Sequence, residues 1–297
     1  MKHLELLQLK YFQTVARLEH MTKAAEELQI AQPSLSKTIA RLEEDLGVPL
    51  FDRKNRQLQL NQYGRLFLER VNRVFLELNE GKRELEELLE RGQTQITLAV
   101  SIPRVLPQLV SSFLKTFPDI KFQQVLESTS SMKSLLEKAE IDFCISSVEI
   151  VGTDIVWEPL MTEQIYLVVP PDHPLARREK IYLHEVKDEP FISMNTGFGF
   201  RNVTDDFCRE AGFVPNIAFE GDEPVVIGDL VRQGLGVAFV PEISWLDNAN
   251  PFPNKLEIIE PKCQRTIGLG WSKRRYLSDT AKQFRQYVKE YFSKIPL

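Results

Sequence analysis

The chain has 297 residues, 43% hydrophobic and 27% charged, with a formal net charge of −5. That length exceeds one core and suits two or three compact units of ordinary globular composition. No run approaches the roughly 18 apolar residues of a membrane span, and the opening MKHLELLQLKYF mixes charge into its apolar residues, unlike a signal peptide. Cys144, Cys208 and Cys263 are far apart, with no Cys-x-x-Cys pair and no histidine at ligand spacing, which argues against a disulfide framework or a zinc site. The expected location is cytoplasmic, with no membrane partner and no cofactor. The overall acidity is wrong for a protein that coats nucleic acid, but residues 1–65 hold ten Lys/Arg against eight Asp/Glu.

In that first segment Leu6, Leu9, Phe12, Val15 and Ala16 recur at helical intervals and predict a first helix with one apolar stripe. Thr22 is placed as the N-cap of the next helix, with Ala24, Ala25 and Leu28 on its buried face. Adjacent alanines allow two helices to cross closely. A break at Gln29–Ala31 leads to Gln32-Pro33-Ser34, where Pro33 suits a helix start. Leu35, Ile39, Leu42 and Leu46 then form an inward stripe, and Gly47 closes the helix as a left-handed cap. Two helices joined by a tight turn make a helix-turn-helix. The outward face of its second helix, Gln32, Ser34, Ser36, Lys37 and Arg41, carries groups that reach base edges and phosphates in a major groove. Leu50 to Leu60 alternates like a hairpin with a basic tip, a wing. Spacing alone also fits a fragment of an ordinary helical bundle.

The run Thr22, Ala24-Ala25, Leu28, Gln32-Pro33, Ser36, Ile39, Leu42-Glu43, Leu46-Gly47, Leu50-Phe51, Arg53, Leu60, Gly64 resembles the N-terminal signature of the LysR-type transcriptional regulators. Two positions depart from the family pattern. Asn61 replaces a threonine and still suits a helix cap; Lys37 replaces an arginine and loses the bidentate fork to guanine. The resemblance implies a DNA-contacting set of Thr22, Gln32, Pro33, Ser34, Ser36, Lys37, Arg41, Arg53 and Arg56. It also implies a homodimer or homotetramer on a dyad-symmetric double-stranded operator, with RNA polymerase as a candidate further partner.

From Asn61 a long helix has heptad character. Phe67, Val71, Val74, Leu78, Leu85 and Leu88 fall at alternating four- and three-residue steps, with Gly81 at a core position where it permits a bend. An apolar seam of this kind points to a partner helix, and the resemblance implies dimerisation through it.

After Gly92 short β-rich runs alternate with helical ones, which predicts a parallel sheet with helices on both faces. Two crossover strands, near Gln164–Val169 and Arg265–Trp271, account for a two-lobed order. This region resembles the periplasmic-binding-protein-like sensor domain of the same family, with landmarks at His173–Ala176 and Gly234–Pro241. The expected fold class is thus α/β with an all-α N-terminal part. Its domains are a winged helix-turn-helix at 1–60, a linker and dimerisation helix at 61–91, and an effector-binding domain at 92–297. Within the last, lobe I covers 92–162 and 268–297, and lobe II covers 163–267.

Ligands of open parallel sheets lie at the carboxyl ends of strands, beside helix N-termini. Those positions are Ser101-Ile102-Pro103-Arg104, Ser128–Ser131, Ser146-Ser147 and Asn195–Phe198. The resemblance maps effector contacts onto Ser101, Ser128 or Thr129, and the Thr196-Gly197-Phe198 loop. Single hydroxyls at strand ends serve equally as helix caps. Arg104 and Arg201 fall in a first helical turn, where the macrodipole disfavours a cation; a bound anion offsets this, and so does plain solvent exposure. The effector-binding set is therefore Ser101, Ile102, Arg104, Ser128, Thr129, Thr196, Gly197, Phe198 and Arg201.

The reading is a DNA-binding transcriptional regulator controlled by a small-molecule effector, a small organic anion. An enzyme is not expected, since no Gly-rich phosphate loop, nucleophile elbow or carboxylate–histidine constellation occurs. The rival is a cytoplasmic small-molecule-binding protein or oxidant sensor using the same two-lobed domain; the cysteines show no close pair in sequence.

Overall fold

The computed structural model describes residues 4–54, 57–89, 95–125, 128–245 and 254–295. The chain forms two compact units, Met1–Arg83 and Glu84–Leu297.

In the first unit, α1 (Leu6–Leu18), α2 (Met21–Glu27) and α3 (Gln32–Leu46) precede a hairpin of β1 (Phe51–Lys54) and β2 (Gln57–Leu60), and α4 (Gln62–Leu88) follows. Leu9, Phe12, Val15 and Ala16 are buried as the helical spacing predicts, but Leu6 of the same stripe is 52% exposed. In its place Gln8 is buried, its side chain accepting from Glu5 N at 3.2 Å. Ala24 and Ala25 are buried where α1, α2 and α3 pack on one another. The N-cap of α2 is His20, whose Nδ1 accepts from Lys23 N at 3.4 Å, so Thr22 lies exposed inside the first turn and caps nothing. Leu35, Ile39 and Leu42 face inward on α3, and Gly47 ends it at φ 74°, the left-handed conformation expected of it.

Phe12 joins the elements of this core, its ring centroid 5.7 Å from that of Phe51 and 5.3 Å from that of Phe67. Two carboxylates set where the hairpin begins and ends. Glu43 Oε1 accepts from Leu50 N at 2.7 Å, and Glu19 Oε1 accepts from Leu60 N at 2.8 Å. Asn61 caps α4, accepting from Gly64 N at 2.9 Å. A Cβ on Gly64 would stand 2.2 Å from the Leu50 carbonyl oxygen, so only glycine lets α4 approach the chain leading into β1.

The seam expected along α4 divides in two. Phe67 and Val71 pack into the first unit's own core, together with Leu68 and Phe75. Val74, Leu78 and Leu85 are 41%, 50% and 62% exposed. The side chain of Leu88 is outside the described residues. A straight helix drifts about 20° per heptad against a strict seven-residue repeat, so one sequence stripe serves two faces.

The second unit opens with β3 (Gln95–Val100), a short 3-10 turn (Pro103–Val105), α5 (Leu106–Leu114), β4 (Lys121–Val125), α6 (Thr129–Glu137) and β5 (Phe143–Ser146). Then come β6 (Ile155–Val168), β7 (Lys180–Ile181), β8 (Pro190–Met194), α7 (Gly199–Glu210), β9 (Asn216–Gly221), α8 (Pro224–Arg232) and β10 (Ala238–Pro241). A 3-10 turn (Glu242–Trp245), β11 (Lys255–Ile258), β12 (Gln264–Ser272) and α9 (Asp279–Phe292) close it. The main sheet runs β4-β3-β5-β12-β6-β11-β7, with β10 also on β6. β3 lies parallel to β4 and β5, as predicted, and β8 and β9 form a separate parallel pair.

Both crossover strands are present, and they pair antiparallel with each other from Gln264↔Gln164 to Ser272↔Ile155. The first is longer than expected, because it begins nine residues earlier, at Ile155. One lobe packs around Phe113, Phe143 and Phe284, and the other around Phe191, Phe207 and Ile165. Ile243, on the turn after β10, is buried in the first of these cores although the strand before it belongs to the other lobe.

Candidate DNA-reading surface and inter-lobe cavity

The apolar stripe of α3 fixes which residues it leaves in solvent. Gln32, Pro33, Ser34, Lys37 and Arg41 are exposed and Ser36 is half-buried, so the outward set expected of this helix shares one face. Among the described residues neither Lys37 nor Arg41 makes an ion pair. Arg53 lies on β1 opposite Leu58, and Arg56 is outside the described residues. This surface presents donors and cations on a rigid helix, the arrangement that enters a major groove.

In the second unit a cavity of about 390 Å³ lies between the lobes. Lobe I contributes the chain after β3, with Ser101, Ile102, Pro103 and Arg104, and Ser147 after β5. Ser101 Oγ accepts from Ser147 N at 3.1 Å, which joins the two strand ends. Lobe II contributes Ile192, Ser193 and Met194 of β8, and Phe198, Gly199, Phe200 and Thr204 at the start of α7. Ile227 of α8, Phe239 and Val240 of β10, and Ile243 and Ser244 of the following turn complete this wall. Arg265 comes from the crossover strand β12.

Four residues expected at an effector site therefore line the cavity: Ser101, Ile102, Arg104 and Phe198. The structure does not bring Ser128, Thr129, Thr196, Gly197 or Arg201 into its lining. Ser128 is the N-cap of α6, accepting from Ser131 N at 3.2 Å. Thr129 sits just outside, against Gly199. Arg201 is 8% exposed and engaged with its own lobe, donating to Asp205 at 2.7 Å, Glu220 at 2.7 Å and the Met194 carbonyl at 3.0 Å. Two carboxylates thus balance the cation that the helix start disfavours. Arg265 had no signal in the sequence beyond its place on a crossover strand.

Arg265 is 7% exposed, and its Nε and Nη2 both lie 2.7 Å from Glu163 Oε1, the residue opposite it in the β6–β12 register. The other oxygen, Glu163 Oε2, accepts from Ile243 N at 2.7 Å. The guanidinium carbon stands 4.8 Å from the centroid of the Phe200 ring. Burial pulls the guanidinium down from its ordinary range, and the Glu163 carboxylate opposes that pull.

All three cysteines are buried. Burial pushes the thiols of Cys144, Cys208 and Cys263 each up to about 12. Among the described residues no group of His, Cys, Asp and Glu is placed to hold a metal ion, and no helix is long and apolar enough to cross a membrane.

A winged helix-turn-helix joined to a two-lobed α/β domain with a cavity between its lobes defines a ligand-responsive DNA-binding regulator. Residues 6–65 match the family described as "Bacterial regulatory helix-turn-helix protein, lysR family", and residues 87–293 match "LysR substrate binding domain". The chain belongs to the LysR family of transcriptional regulators. It is 41% identical to the HTH-type transcriptional regulator YybE of Bacillus subtilis (strain 168), over 98% of this chain and 100% of that protein. It is 34% identical to the transcriptional dual regulator GltC of the same organism, over 98% and 99%. The effector binding domain of QuiR, solved in complex with shikimate, covers 69% of this chain and 100% of its own length, at 29% identity and a TM-score of 0.61. The oxidant-sensor reading is not favoured.

Proposed function

We propose that this LysR-family regulator reads a dyad-symmetric operator through α3 and the wing, as a dimer held by the exposed stripe of α4. In this reading Gln32, Ser36 and Lys37 face bases or adjacent phosphates, and Arg41 and Arg53 hold the backbone. The effector, a small organic anion, occupies the cavity between the lobes, and RNA polymerase is the further partner through which bound dimers act. The observation that carries the reading is the cavity itself. It is of ligand size, its walls come from both lobes, and a crossover strand contributes Arg265 to it, so occupancy biases lobe closure by the ligand's preference for one closure state.

The test is a thermal-shift screen of small carboxylates against the full chain and a Ser244→Trp variant, which places an indole in the cavity. A carboxylate that stabilises the wild type and not the variant, and that changes a gel shift on the DNA upstream of the chain's own gene, supports the reading. Equal stabilisation of both proteins moves the effector elsewhere.

A further inference from the structure

Resting on the cavity being the effector site, we propose that Arg265 reads the effector's head group and selects a monoacid with an apolar body. The walls are dominated by Ile192, Met194, Phe198, Phe200 and Phe239, with serine and threonine hydroxyls among them. Among the described residues lining the cavity, the charged side chains are both arginines; no carboxylate, lysine or histidine lines it. A cationic ligand therefore meets no counter-charge. A second carboxylate on a ligand would meet only Arg104, which is exposed and stays in water, so it gains less than the first does at the buried Arg265.

Arg265 is the arginine that is built in. It comes from a crossover strand, it is buried, and Phe200 packs across its guanidinium face. Nε and Nη2 converge on the single oxygen Glu163 Oε1, and among the described residues Nη1 makes no hydrogen bond. A guanidinium carries five N–H donors, so this geometry leaves donors unused on the cavity wall. A ligand carboxylate fits that unused edge and pairs with it as an ion pair, whereas an amide carbonyl accepts from the same donors without supplying a counter-charge. The same Glu163 holds Ile243 N, and Ile243 is the residue that enters the opposite lobe's core. Any shift in how Arg265 divides its donors between Glu163 and a ligand is thus felt at the junction of the lobes.

The experiment is isothermal titration of the full chain with benzoate, phenylacetate and hexanoate, with their amides, and with succinate. Arg265→Gln alone would leave Glu163 buried without its partner, so the informative variant is Glu163→Gln combined with Arg265→Gln, which removes both charges and keeps a polar side chain at each position. In the wild type at least one monoacid is expected to bind at least tenfold tighter than its amide and than succinate. The double variant, shown folded by circular dichroism, is expected to bind acid and amide alike. An acid preference that survives in the double variant overturns the role of Arg265, as does amide or succinate binding that matches the monoacids in the wild type. Binding of none of the three monoacids overturns the ligand class. The Ser244→Trp variant separates the two levels: if it keeps the wild-type affinity, the cavity is not the site at all.

Discussion

A Cβ built on Gly199 would stand 2.8 Å from Thr129 Oγ1 and 2.9 Å from a methyl of Val148. Gly199 begins α7 in one lobe, while Thr129 begins α6 in the other, so this is a place where the lobes touch. Gly199→Ala forces that contact apart, and overpacking of this kind costs about 1–3 kcal/mol. The cost is expected to fall on the ligand-bound arrangement, in which the lobes are held together at this contact. Ligand affinity is expected to fall by roughly tenfold for each 1.4 kcal/mol, with ligand-free operator binding unchanged. Calorimetry and a gel shift on the same preparation check it, and unchanged ligand affinity counts against a closing motion at this contact.

The face of α3 separates two kinds of DNA contact. Gln32→Ala is expected to relax base preference at one operator position, at a cost of about 1–3 kcal/mol. Arg41→Ala is expected to weaken all sequences alike and to reduce the salt slope by about 1. Affinities for a set of single-base operator variants at several salt concentrations distinguish these outcomes. Unchanged binding in both variants would remove α3 from the interface.

On α4 the two faces predict opposite behaviour. Val74→Glu combined with Leu78→Glu places charge on the exposed stripe and is expected to yield monomers by light scattering, with loss of operator affinity. Val71→Ala trims the first unit's own core and is expected to lower thermal stability while leaving the oligomeric mass unchanged. A dimer that survives both glutamates places the interface elsewhere.

The buried thiols predict chemical silence. With each raised to about 12, thiolate is a minor species at any pH below that value, and the thiolate is the reactive form. Ellman's reagent at pH 8 is expected to label none of the three quickly in the native protein and all three after denaturation. Peroxide is expected to leave operator binding unchanged. A disulfide recovered from peroxide-treated native protein would reverse this conclusion.

Local signals were legible and long-range ones were not. The leucine spacing of α3, the alanine pair of α2 and the left-handed Gly47 each state a backbone requirement within a few residues. The start of α2 was misplaced because a histidine ring nitrogen, on His20, did the work expected of the Thr22 hydroxyl. The first half of β6 was missed because Pro159 interrupts it. Proline is tolerated there since the β6–β12 register shifts beside it, at Ile267/Gly268. The Arg201 partner Asp205, four residues on along the same helix, was readable from spacing, but Glu220 on β9 was not. Arg265 became visible only once residues 102 positions apart were paired across two strands.

The second unit's lobes are joined by more than their two crossover strands. Ile243 reaches from the end of β10 into the opposite core, and Glu163 fastens the turn that carries it. Mechanically this is a door hung at three points on one edge. Such a mounting resists sliding and twisting and leaves swing about a single axis. A molecule of modest affinity can therefore direct its whole effect into one coordinate, without loss to competing motions. Cutting the third fastening, for instance with Ile243→Ala, should make the lobes looser in every direction rather than more open in one.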